Sequence, residues 1–133
     1  GAVGRFSEAV EHDTHGRPDV AGELYWECIE TEDRIADAFC NLAVISYEAG
    51  DEVLAREYLA DTLINEPDHG VAHYNVGTLA LFRGENQLAI LHYREVLQEA
   101  QTLPDAPAIS PGTRLDARVI FPSARMNLAV ALA

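Results

Sequence analysis

A phrase of six residues constrains this chain more than any other feature. "AFCNLA" at residues 38–43 returns as "AHYNVG" at 72–77, an offset of 34, and a third time as "ARMNLA" at 124–129. Laid on itself at that offset, the chain aligns Ala9, Ala43 and Gly77 in one column, Gly16, Gly50 and Gly84 in a second, and Ala21, Ala55 and Ala89 in a third. A fourth column holds the bulky residues Tyr25, Leu59 and Tyr93. Several columns recurring in fixed phase mean one structural unit used repeatedly.

Within a unit the apolar residues recur at helical spacing, as in Phe39, Leu42, Ala43 and Tyr47, then Leu54, Ala55, Tyr58, Leu59 and Leu63. Between these runs stand "AGDE" at 49–52 and "RGEN" at 83–86. The glycine suits the left-handed residue that ends a helix, and the acid suits the start of the next one. Each unit therefore predicts a helical hairpin. Ala43 and Gly77 are expected where the two helices cross, with Ala55 and Ala89 on the facing helix, because added bulk there would force the helices apart. Tyr58 or Leu59, and His92 or Tyr93, are expected to fill the space toward the next hairpin. Pro67 in "NEPDHG" cannot continue a helix interior, so it separates one unit from the next.

A hairpin repeat of 34 residues with aromatic, Leu, small, Ala, aromatic and Pro positions resembles the tetratricopeptide repeat. Residues 36–67 carry the resemblance best, with Phe39, Leu42 and Ala43 leading, Gly50 and Asp51 turning, Ala55 following and Pro67 ending. Residues 70–101 depart from it at His73 and Gln101, and the first unit at Arg5, Glu8 and Asp33. The resemblance implies an all-α fold in a single domain over 1–133, a right-handed superhelical solenoid of about three and a half repeats. The units are expected at about 2–35, 36–69 and 70–103. Residues 102–122, with four Pro, read as an insertion loop, and residues 123–133 as a partial fourth repeat. The leading Gly-Ala and the uncapped end in "MNLAVALA" suggest a piece of a longer chain.

In such repeats the first helices line a concave groove that takes extended peptides or partner helices. Carried over position by position, the resemblance implies that Asp37, Cys40, Asn41, Val44, Tyr47 and Glu48 face this groove. It implies the same for Val71, Tyr74, Asn75, Thr78, Leu81 and Phe82 of the next unit, and for Met126, Asn127 and Val130 of the last. Asn41, Asn75 and Asn127 share a column, and an amide side chain offers both a donor and an acceptor. Either the three form a ladder that clamps a peptide backbone, with Val44, Tyr47, Tyr74, Thr78, Phe82 and Met126 completing the groove, or each Asn caps or crosslinks its own hairpin.

Charge narrows the partner. The chain has 22 acids, nine Arg and no Lys, for a net charge of −13; residues 1–69 hold 17 of the acids and four of the Arg. Phosphate binding needs a basic face, so a nucleic-acid role is disfavoured. Acidic chaperone tails are disfavoured too, since Asp37 and Glu48 would repel them. An apolar and basic peptide or protein fits better, in a non-catalytic scaffold with no cofactor. The alternatives are an assembly module, a homodimer through Leu128, Val130 and Leu132 of the last helix, or the targeting domain of a larger enzyme. "RLDARVIF" in the insertion, with Arg114 and Arg118, is either a solvated loop with a short apolar anchor or a pseudo-ligand that folds back.

Other chemistry finds little footing. No phosphate loop or nucleophile elbow is visible, and no apolar run is long enough to span a bilayer. Cys28 and Cys40 lack the spacing of a zinc site and read as small apolar fillers in a reducing, cytoplasmic setting. His12 and His15 in "EHDTH", and His69 with His73 four residues on, are possible chelating pairs. They read better as surface groups, with His73 replacing an aromatic residue and His69 in the turn before a helix, so no metal is expected.

Overall fold

The computed structural model describes residues 4–102. They form six helices: α1 (Arg5–Thr14), α2 (Pro18–Glu30), α3 (Ile35–Glu48), α4 (Glu52–Asn65), α5 (Gly70–Phe82) and α6 (Asn86–Thr102). There is no strand among the described residues. Helices this short are marginal alone in water, so each depends on burying a face against its neighbour. α1 packs on α2, α3 on α4 and α5 on α6, while α2 meets α3 and α4 meets α5.

The three hairpins close in the same way. Gly16, Gly50 and Gly84 take φ of 72°, 92° and 78°, the left-handed region in which a side chain is disfavoured. After each glycine the next N–H reaches back five residues, from Arg17 to the His12 carbonyl, Asp51 to Ser46 and Glu85 to Ala80, at 2.9 Å in every case. The glycine N–H itself reaches back three, which completes a Schellman turn and satisfies the last carbonyls of the first helix. Asp51 then caps α4, its side chain accepting from the Leu54 N–H at 3.0 Å. α2 ends on the same turn without glycine, because Glu32 adopts φ 57°.

The small-residue columns sit at the predicted close approaches. Ala9, Ala21, Ala43, Ala55 and Ala89 are all buried. A Cβ on Gly77 would stand 2.9 Å from Tyr93 Cε1, so the tyrosine ring lies directly on the helix backbone. The core divides into three clusters. Phe6, Tyr25, Cys28 and Leu42 join the first hairpin to α3. Cys40, Val44, Leu59, Val71 and Leu79 join the second hairpin to α5, and Tyr74, Ala80, Ala89 and Tyr93 fill the third hairpin.

Of the large residues, Leu59 bridges to the next hairpin as expected. Tyr93 meets Tyr74 edge-on, with ring centroids 5.9 Å apart, and the hairpin expected after the third lies outside the described residues. Tyr58 reaches backward, meeting Trp26 of the preceding hairpin at 6.0 Å. Direction follows from the rotation of about 100° between neighbouring helical positions, which residue size alone does not reveal. No described helix is long and apolar enough to cross a membrane. The expected insertion beyond Thr102 and the partial fourth repeat at 123–133 lie outside the described residues.

Gly77→Ala should cost about 1 to 2 kcal/mol, because overpacking against Tyr93 outweighs the gain in helix propensity. Combining it with Tyr93→Leu reproduces the Ala43 and Leu59 pairing of the second hairpin. In a denaturant-melt double-mutant cycle the pair should lose less than the sum of the single changes.

Candidate interaction surface

The positions that the sequence assigns to a groove lie on α3 and α5, and most are covered. Asn41 is 1% exposed and Asn75 2%, and Val44, Tyr74 and Thr78 are also buried. Tyr47 is half-buried, and Phe82, at the end of α5, is 52% exposed. Asn127 and Met126 lie outside the described residues. The ladder therefore has no exposed amide at Asn41 or Asn75; among the described positions of the set, Glu48 and Phe82 are exposed and Tyr47 and Leu81 are half-buried.

The Asn41 amide is used inside the molecule. Its Nδ2 donates to the Tyr25 hydroxyl at 3.1 Å, and that hydroxyl donates to Asp13 Oδ2 at 3.1 Å. A buried polar chain thus runs from α3 through α2 to α1, and it crosslinks neighbouring hairpins rather than capping one. Tyr25 stands 16 positions before Asn41, and the residue 16 before Asn75 is Leu59. The repeat has lost the hydroxyl but kept the amide: among the described residues neither Asn75 Nδ2 nor Oδ1 has a hydrogen-bond partner. Tyr93 restores the hydroxyl in the third hairpin. Thr78 Oγ1 spends its one hydrogen on the Tyr74 carbonyl, so the Tyr93 hydroxyl donates to Thr78 at 2.9 Å.

A second polar cluster ties all three hairpins together. The Arg34 guanidinium lies over the Phe6 ring of α1, 4.1 Å from its centroid. Arg34 Nε donates to Asp37 Oδ2 at 2.9 Å, and Asp37 Oδ1 accepts from His69 Nε2 at 2.7 Å. The His69 tautomer is fixed by its other nitrogen, since Nδ1 accepts the Ala72 N–H at 3.1 Å and caps α5. Burial opposes ionisation of Asp37, but hydrogen bonds from His69 and Arg34 outweigh it and hold the carboxyl below its ordinary range.

Asp37, Glu66 and His69 bring three possible ligand atoms within 4.8 Å of one another. In this arrangement the His69 Nε2 proton is committed to Asp37, and the other Asp37 oxygen is held by Arg34. The cluster is set up as a hydrogen-bonded junction. His69 and His73 do not face each other as a chelating pair. His73 Nε2 donates to the Pro67 carbonyl at 2.7 Å, which leaves His73 Nδ1 to accept from His92 Nδ1 at 2.8 Å. In "EHDTH", His12 Nδ1 accepts from Arg17 Nε at 2.8 Å, and Asp13 is buried under Tyr25. The thiols of Cys28 and Cys40 are buried and unpaired with each other. Burial pushes both up, to about 11 for Cys28, so neither is a poised nucleophile.

Asp37 and His69 were readable in outline. Asp37 shares its column with Val71, and His69 shares its column with Ile35. A polar residue in an otherwise apolar column signals a buried group that needs a partner. The identity of that partner was not readable, because the two lie 32 positions apart on helices of different hairpins. Compared with known proteins, the sequence matches no family model and no curated protein.

Asn75→Leu should raise stability by about 1 kcal/mol, since it replaces an unpaired buried amide by apolar volume, whereas Asn41→Leu should lower it by a similar amount. Thermal melts of both variants decide this. Burial first, and then the nearby His73, hold the His92 imidazole below its ordinary value. The native state therefore disfavours protonation, and stability should fall as pH drops below about 6.5 toward the lowered native value. His92→Tyr, which copies Tyr58 of the preceding repeat, should flatten that part of a plot of melting temperature against pH.

Proposed function

We propose that this chain is a tetratricopeptide-like repeat scaffold, a right-handed solenoid that binds a partner peptide or helix without catalysing a reaction. The observation that carries the reading is the identity of the three hairpin closures. Gly16, Gly50 and Gly84 share one left-handed turn at one spacing, with small residues packed between the helices of each hairpin. Arrays of like units offer an extended surface that grows with each repeat and serves association. Tyr47 and the exposed Phe82, near the C-terminal ends of α3 and α5, are the contacts through which the partner is held. Residues 4–102 hold 20 of the 22 acids and six of the nine arginines, which favours a basic and apolar partner. A cytoplasmic setting agrees with two buried, unlinked thiols.

The test is a screen of fluorescent peptides that combine aromatic and basic residues, read by polarisation against the wild-type chain, Tyr47→Ala and Phe82→Ala. Binding that weakens about tenfold in either variant supports the reading. Binding indifferent to both variants, or a mass that rises with concentration while no peptide binds, would favour self-assembly instead.

A further inference from the structure

The repeat can be used as its own ruler. Between the first and second hairpins three aromatic rings meet: Trp26 with Phe39 at 6.0 Å, Trp26 with Tyr58 at 6.0 Å and Phe39 with Tyr58 at 6.1 Å. One repeat later the same columns hold Ala60, His73 and His92. The two histidine rings keep the contact, with centroids 5.1 Å apart, but the third ring is missing. Tyr25 and Trp26 have become Leu59 and Ala60, and the lost volume is not made up by neighbouring side chains. A cleft of about 240 Å³ borders Ala60 and His92, walled also by Leu63, Leu79 and Leu88, with Arg56 in its lining; His73 is not part of it.

We infer that this cleft is a docking pocket for a tryptophan side chain presented by a basic segment of a partner protein. The shape argument comes from the preceding repeat, where Trp26, in the column of Ala60, meets Tyr58, in the column of His92, edge-on. His92 stands in the Tyr58 position, so an incoming indole meets an aromatic ring in the same relation. Charge supplies the flanking residues. Glu52 and Glu85 are each paired with Arg56 and Arg83, but Glu57 and Asp61 on α4 and Glu95 on α6 have no ion pair among the described residues and outnumber Arg94. Arg56 does not call for an anionic ligand, because it already lies 3.7 Å from Glu52 and 3.4 Å from Glu85. Arginine or lysine on either side of the tryptophan would pair with Glu57, Asp61 and Glu95. The inference rests on the scaffold reading but uses a different surface, since none of the cleft residues belongs to the Tyr47 and Phe82 set.

The probe is the peptide Ac-Gly-Arg-Trp-Arg-Gly-NH2, titrated into isotope-labelled protein and followed by NMR. Controls replace its Trp by Ala, or its two Arg by Glu. The expected result is chemical-shift change centred on Ala60, Leu63, Leu88 and His92, with affinity about tenfold weaker for each control peptide. Ala60→Trp restores the trio of the preceding repeat, and should abolish these shifts while leaving a cooperative melt. Should that variant fold poorly, the shift map of the unaltered protein still decides the matter. Shifts elsewhere, or equal affinity for the Ala peptide, overturn the pocket. If the cleft signals move on dilution, or in Phe121→Ala without any peptide, the occupant is a second copy or the chain's own later segment, and the partner assignment falls. Tyr47→Ala and Phe82→Ala should leave this binding intact, so failure here is distinguishable from failure of the groove.

Discussion

The left-handed glycine that ends the first helix of each hairpin is the constraint on which the rest depends. At Gly16, Gly50 and Gly84 the chain reverses within a few residues, and the reversal leaves two helices side by side at a separation fixed by the turn. Only small residues then fit between them, which is why alanine recurs at 21, 55 and 89, and why Gly77 lies under the Tyr93 ring. A β-carbon at the turn would disfavour the reversal, and a larger residue at the crossing would undo the packing that makes such short helices stable.

Much of this was legible in the chain itself. A column of glycines at constant spacing can mean little else than a repeated backbone conformation, and columns of small residues in phase with it mean repeated close contact. The backward reach of Tyr58 to Trp26 was not legible, because neighbouring helical positions differ by a large rotation and both Tyr58 and Leu59 are bulky. The polar contacts were legible only in part. Asn41 and Asn75 look equivalent in sequence, yet one has a tyrosine hydroxyl within reach and the other does not. The difference is visible only after the column of Tyr25 and Leu59 is laid against the column of the asparagines. From the sequence a surface ladder and an internal crosslink were both open, because the resemblance places the position while burial depends on what the adjoining repeat contributes.

A common backbone has thus been furnished differently at its two junctions. Around α2 and α3 the contacts are aromatic and apolar, with Tyr25 threading one polar chain through them. Between the second and third hairpins the tyrosine and the tryptophan are gone. An apolar cluster of Cys40, Val44, Leu59, Val71 and Leu79 makes this junction, Asp37 and His69 add a polar link, and a cleft stands beside Ala60 and His92.

Both junctions are seams held in part by hydrophobic contact, which salt leaves largely intact and which weakens on cooling. The second leans on an ionised carboxylate whose stabilising effect is present at neutral pH and fades as acid protonates Asp37 below its ordinary range. Acid therefore withdraws one polar clasp that touches all three hairpins, from Arg34 over Phe6 through Asp37 to His69, and leaves the apolar contacts of both seams in place.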